Sequence, residues 1–400
     1  MSQISKTCSF VAGTLVIFVV CAAHTSACLW DTETLLEERS RFPTALEIIL
    51  GKFPRHTREY YQWRLNDRLE KLKTSPDDDS LLDDVAASYE KLGRYDDAIS
   101  VAKEQLARHP ERYESLANLG TFLIHDGQLR EGLPYIEKAI EVNPDAHFGR
   151  EKYQLLLVKY VLSRSTDDGI ELPLAKSRFK DKSVEYDFPF LTFLEQETLD
   201  GSSEHGSPQR DDAIKGILGM MRFSRYDSPI LLEVLGELHE SQSAGQLAYR
   251  AYMSASQHVE DADAKARYQQ LASHALEYPR MSWESVNGVK IDETEIAEDF
   301  RAERADADLW FQSLAADERK WIAAGEAVDE KFNAKYREIP EAITTDPETQ
   351  RASQGETSDP AFDELLGSLL TISALVIVAA FALYVVLTRK RSAAKTITSA

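Results

Sequence analysis

The chain has 400 residues and only three cysteines, Cys8, Cys21 and Cys28, all near its start. A body without cysteine has no disulfides and no thiolate zinc site, so it must be held by packing. The glycosylation pattern Asn-x-Ser/Thr is also missing. Cations are scarce: 46 Lys and Arg stand against 67 Asp and Glu, a net charge of −21. The deficit is steepest from Asn287 to Glu364, where 21 acidic residues outnumber 9 basic ones. Such a surface repels a phosphate backbone, which excludes nucleic acid as the expected partner.

Catalytic signatures are missing as well. The sequence has no His-Glu-x-x-His, no Gly-x-Ser-x-Gly, no Gly-Lys-Ser/Thr loop and no Gly-x-Gly-x-x-Gly. His239-Glu240 is followed by Ser-Gln-Ser, so a second metal-ligating histidine is lacking. Ser202, Ser203 and His205 lie close together in a Gly-rich loop, where spacing alone specifies no nucleophile. The expectation is a chain without catalytic, cofactor-binding or metal-binding residues.

Long apolar runs are few and lie at the two ends. Lys6 precedes an apolar stretch from Cys8 to Ala23 and then small residues, the order of a secretory signal over 1–27. Cleavage after Ala27 is one reading. Ser26-Ala27-Cys28 also resembles a bacterial lipobox, in which Cys28 carries lipid. Leu365 to Leu387 is uncharged and long enough to cross a bilayer. Arg389, Lys390 and Arg391 follow it and place the 388–400 tail in the cytoplasm. The expected topology is a single-pass protein of the bacterial inner membrane, with its bulk in the periplasm and a polar stalk over 344–364.

Between the ends, spacing carries the information. Pro76, Pro110 and Pro144 are 34 residues apart. Ala86 moves in step with Gly120, Tyr89 with Leu123, and Gly93 with Gly127. Each unit reads as two helices joined at a glycine and stopped by a proline. Unit one supplies Leu82, Tyr89, Gly93, Tyr95, Ala98, Ala102 and Pro110, with Gln105 at a position that wants a small residue. Unit two supplies Leu116, Leu119-Gly120, Leu123, Gly127, Ile136, Ala139 and Pro144. Gly132 replaces an alanine there, which is expected to loosen that helix.

On these residues, 79–146 resembles the tetratricopeptide-repeat family. The resemblance implies an all-α solenoid of helical hairpins. Residues 28–78 then form a degenerate capping unit, ending in a helix over Glu59 to Lys73, and a capping helix completes 79–164. Within the cap, "RHTREYYQWRLNDR" mixes arginines with Tyr60, Tyr61 and Trp63, which suits a helix with its aromatic side buried. Residues 165–212 read as an irregular insertion whose apolar strip, Phe188 to Leu194, docks on the body. A second, divergent helical block spans 213–285, spaced by Leu232, Leu235-Gly236, Ala248, Tyr252 and Ala255.

The acidic region 286–343 reads as one or two long helices. Phe300, Ala307, Leu314, Trp321 and Val328 recur every seven residues. Arg304 and Glu318 interrupt this seam. It is expected to pack on the chain's own helices rather than on a second copy.

The resemblance also implies a concave groove lined by the first helix of each hairpin. Its residues are Asp83, Ala87, Glu90 and Lys91 in unit one, and Ala117, Asn118, Thr121, Ile124 and His125 in unit two. Asp83 and Ala117 stand where a carboxylate-clamping cation would be needed, so that clamp is missing. The implied role is a non-enzymatic, membrane-tethered scaffold that holds a protein or peptide. The alternatives are an envelope enzyme or sensor built on 165–212 and the second block, or a structural subunit that oligomerises through 292–337.

Overall fold

The structure, a computed structural model, describes residues 31–32, 40–144, 150–166, 169–180, 183–184, 186–199, 210–277 and 292–337. The expected signal, stalk, membrane span and tail lie outside these residues, as do Cys28, Ser202, Ser203 and His205. Among the described residues no helix is long and apolar enough to cross a membrane. The chain divides into two units, 1–338 and 339–400; everything described belongs to the first.

That unit is predominantly helical. Helix α1 (Ala45–Leu50) starts at a capping box between Thr44 and Glu47 and stops at Gly51, whose φ is 72°. Helix α2 (Arg58–Leu72) is capped by Thr57. Helices α3 (Asp79–Lys91) and α4 (Tyr95–Arg108) form the first hairpin, and α5 (Tyr113–His125) and α6 (Leu129–Val142) the second. Gly93 and Gly127 turn each hairpin at φ 75° and 83°, a conformation that costs glycine little. Ala86, Ala98 and Ala102 are fully buried, which lets the helix axes approach. From α2 onward each of these helices packs on the next, and α6 packs on α7 (Arg150–Arg164).

Two departures from the repeat pattern have structural reasons. Gln105 is buried, and its Nε2 donates to Asp83 Oδ1 at 3.0 Å and to the Asp79 carbonyl at 3.2 Å. Gly132 sits where its helix meets the first helix of the hairpin. A Cβ there would sit 2.7 Å from the Gly120 carbonyl oxygen and 2.8 Å from Ile124 Cγ1. The glycine is the contact surface between α5 and α6.

The insertion is more ordered than its composition suggests. After a short hairpin, Phe179–Lys180 against Ser183–Val184, its apolar strip becomes helix α8 (Pro189–Leu199). Pro189 opens the helix where no N–H is needed. Phe190, Leu191 and Leu194 enter the main core together with Leu174.

Helix α9 (Arg210–Met220) packs on α7 and runs into one π turn, Met221–Arg225. Helices α10 (Pro229–Ser241), α11 (Gly245–Gln257) and α12 (Ala262–Glu277) follow, each packed on the previous one. Leu232, Leu235, Ala248, Tyr252 and Ala255 are all buried.

The 31-residue α13 (Glu293–Ala323) returns across the molecule to α1 and α2. Gly325, at φ 64°, then turns the chain into α14 (Val328–Tyr336). The seven-residue seam is buried inside this chain: Phe300 and Ala307 lie with Ile48 and Leu50, and Leu314, Trp321, Val328 and Phe332 with Tyr60. The two interruptions bind the loop between α1 and α2. Arg304 donates to the Leu50 carbonyl at 3.1 Å. Fully buried Glu318 accepts from the Thr57 N–H at 3.0 Å and pairs with His56 Nδ1.

Gly132→Ala should therefore lower stability, although alanine gains up to about 1 kcal/mol of helix propensity. Overpacking against backbone costs about 1–3 kcal/mol, so the net change is a loss. A thermal melt checks the sign, and a melting temperature equal to or above the parent's would refute the contact.

Candidate functional site

The nine expected groove residues divide into two groups. Asp83, Ala87, Ala117 and Asn118 are buried between helices. Asp83 accepts both terminal nitrogens of Arg112, at 2.9 and 2.5 Å, so it ties the first hairpin to the second. Glu90, Lys91, Thr121, Ile124 and His125 instead gather around the Met221–Arg225 turn. Lys91 Nζ donates to the carbonyls of Phe223 at 2.8 Å and Ser224 at 3.2 Å. His125 Nδ1 lies 2.8 Å from Glu90 Oε1, and its Nε2 lies 3.0 Å from Ser224 Oγ. With Nδ1 donating to the carboxylate, Nε2 accepts from the serine. Burial would raise the Glu90 carboxyl, but Lys91 and His125 outweigh it and hold it at about 2.

Beside this turn lies a mostly apolar cavity of about 290 Å³. Ile124 and Thr121 form part of its wall, and Leu157, Val158 and Met220 much of the rest. Its polar lining includes His125, Arg150, Ser228 and, from α7, Gln154. Gln154 Nε2 donates to Thr121 Oγ1 at 3.1 Å, while its buried Oε1 has no partner among the described residues. A ligand here would be held by apolar contact and one donated hydrogen bond.

The residues that sequence reasoning missed come from α7 and from the π turn. The helix α7 run "YQLLLVKYV" signals an apolar face, but nothing in it indicates that part of the face borders a cavity. The turn is about a hundred residues from the groove helices, beyond the reach of any periodic signal.

A second polar concentration lies on α10. Glu233, Glu237 and Glu240 are fully buried on one face of that helix. Glu233 accepts the N–H groups of Leu174 and Ala175 at 3.0 and 2.8 Å, and the Tyr268 hydroxyl at 2.7 Å. Glu237 accepts the Leu191 N–H at 2.9 Å. Glu240 forms a two-point pair with buried Arg178, at 2.9 and 2.8 Å, and is 3.1 Å from His274 Nδ1. These groups receive the insertion's backbone rather than a substrate. Burial raises Glu233 against the pull of Tyr268, and lifts Glu237 to about 8. His239 is also buried, which pushes it down to about 4. Among the described residues no cluster of three His, Cys, Asp or Glu is placed to hold a metal.

No family model matches the chain, and no curated protein matches it.

The Glu237 shift fixes a pH dependence. Its ordinary value is 4.5 and its folded value about 8. Between them the folded chain holds a proton that the unfolded chain releases, so this group's contribution to stability falls as pH rises. Glu237→Gln should flatten that part of the profile, as read from denaturation midpoints across the range. An unchanged slope would refute a protonated Glu237.

Proposed function

We propose that this protein is a repeat scaffold, related in plan to tetratricopeptide repeats, that binds a protein or peptide partner outside the cytoplasm while tethered to the membrane by Leu365–Leu387. The observation that carries the reading is the 290 Å³ apolar cavity bordered by Thr121, Ile124 and His125, three of the residues expected to line a binding groove. Successive packing of α2 through α7 supports the solenoid plan. The partner supplies an apolar side chain, with a nearby N–H or O–H directed at Gln154 Oε1.

Ile170 lines the same cavity and is 43 % exposed, so it can be changed without disturbing the core. Peptides selected on the full chain from a displayed library should share a large apolar anchor. Ile170→Arg should weaken them at least tenfold, about 1.4 kcal/mol, with an unchanged melting curve. Selection without an apolar consensus, or binding indifferent to Ile170→Arg, would overturn the reading.

A second reading rests on the Glu90–His125–Ser224 relay, which has the hydrogen-bond order of an acyl-transfer triad. In it Ser224 Oγ attacks an ester carbonyl, and its proton passes to His125 Nε2 and then to the departing alcohol. Water, deprotonated by His125, releases the acid. The preceding α9 and the π turn already use backbone N–H groups within the helix, which speaks against an oxyanion site there. A fluorophosphonate probe that labels the parent chain but not Ser224→Ala would establish this reading. No labelling, beside a labelled control hydrolase, leaves the relay as a strut that holds the turn.

A further inference from the structure

Two cavities border the Met221–Arg225 turn, and they differ in what they leave unmatched. The second, of about 230 Å³, also touches Arg55, Tyr61 and Arg222. Lys91 there lies 3.7 Å from Glu90, and Arg225 lies 3.6 Å from Asp227, so protein groups answer these cations. The 290 Å³ cavity instead offers a buried acceptor, Gln154 Oε1, with no partner among the described residues. Gln154 is 5 % exposed, and its Nε2 is already engaged by Thr121 Oγ1. Leu157, Val158 and Met220 are buried in the same lining, whereas Gly127, Ile170 and Arg225 are exposed. The lining thus runs from an exposed rim to an apolar interior that holds an unmatched acceptor.

Size and hydrogen-bonding capacity narrow the occupant. An engineered protein cavity of about 150 Å³ holds one benzene. At about 290 Å³, this one has room for two fused rings. Leaving a buried acceptor unpaired costs more than a hydrogen bond contributes, so the occupant should carry a donor. Leucine, methionine and phenylalanine bring none. Tyrosine brings one, but its single ring fills only about half the space. Lysine and arginine add charge to a lining that already includes Arg150 and Arg225. The indole of tryptophan has two fused rings and one N–H, and it donates without accepting. Its π face also suits a wall where the Arg150 guanidinium lies over the Phe223 ring at 4.3 Å.

We propose that the apolar cavity is a tryptophan-recognition site, in which the partner inserts an indole whose Nε1–H donates to Gln154 Oε1. This rests on the reading of the chain as a peptide-binding scaffold and adds the identity of the anchor.

Peptide selection on the full chain in detergent, followed by calorimetry, tests it. The selected peptides should share a tryptophan. Replacing that residue with benzothienylalanine keeps both rings and puts sulfur in place of the N–H, and should weaken binding roughly tenfold. Gln154→Met removes the acceptor while keeping the side chain's length. On that variant, once a melting curve shows it folded, the two peptides should bind equally. A consensus of leucine, methionine or phenylalanine overturns tryptophan recognition and leaves the scaffold reading standing. Selection with no apolar consensus overturns both. Equal binding of the tryptophan and benzothienyl peptides by the parent chain overturns the proposal without recourse to the variant.

Discussion

The row of carboxylates on α10 is the constraint around which the second half of the molecule is organised. Leu174, Ala175 and Leu191 bring backbone donors of the insertion into the core, where each must find an acceptor. Glu233 and Glu237 supply them, and Glu240 fixes Arg178, the fully buried cation of the same segment. Spacings of four and three residues put all three acids on one helical face. That face cannot also meet solvent, so the insertion is bound to α10 as an integral layer. Truncating one acid would strand buried N–H groups, which costs more than the hydrogen bond itself contributes.

Helix α13 solves the corresponding problem at the first half. A 31-residue helix spans about 46 Å, enough to contact both α1 and α2. Its seven-residue seam supplies the apolar contact. The Arg304 and Glu318 interruptions supply what an apolar seam cannot: a donor for the last carbonyl of α1 and an acceptor for the first amide of the α2 cap. Read along the sequence, these residues weaken a coiled coil. In three dimensions they set the register of the helix on its own chain, and this use of the seam inside the unit does not call for a second copy.

Much of the architecture was legible because it rests on local rules. The 34-residue spacing of Pro76, Pro110 and Pro144 marks hairpin ends, and the turns at Gly93 and Gly127 follow from one backbone conformation. The contact that Gly132 makes with α5 was not legible, because a propensity scale registers only the helix's own backbone. The helix from Pro189 was hidden by its Gly- and Pro-rich flanks. The register placed Lys91 and His125 at corresponding ends of the first helices of the two hairpins. What they touch was not legible, because Phe223 and Ser224 arrive from a distant part of the chain and carry no motif.

The Met221–Arg225 turn is where these long-range contacts meet. Phe223, Ser224 and Arg225 border both cavities. Their position is set from one side by Lys91 and from the other by His125. A π turn places side chains out of step with the helix that leads into it, and here Phe223 borders both recesses while Arg222 borders only the one with Arg55 and Tyr61. An occupant of either cavity therefore acts on the same wall. Asp83 with Arg112 ties the first hairpin to the second, and Gly132 meets Gly120 within the second. Hydrogen bonds from Lys91 to the Phe223 and Ser224 carbonyls and between His125 and Ser224 hold the turn against these hairpins.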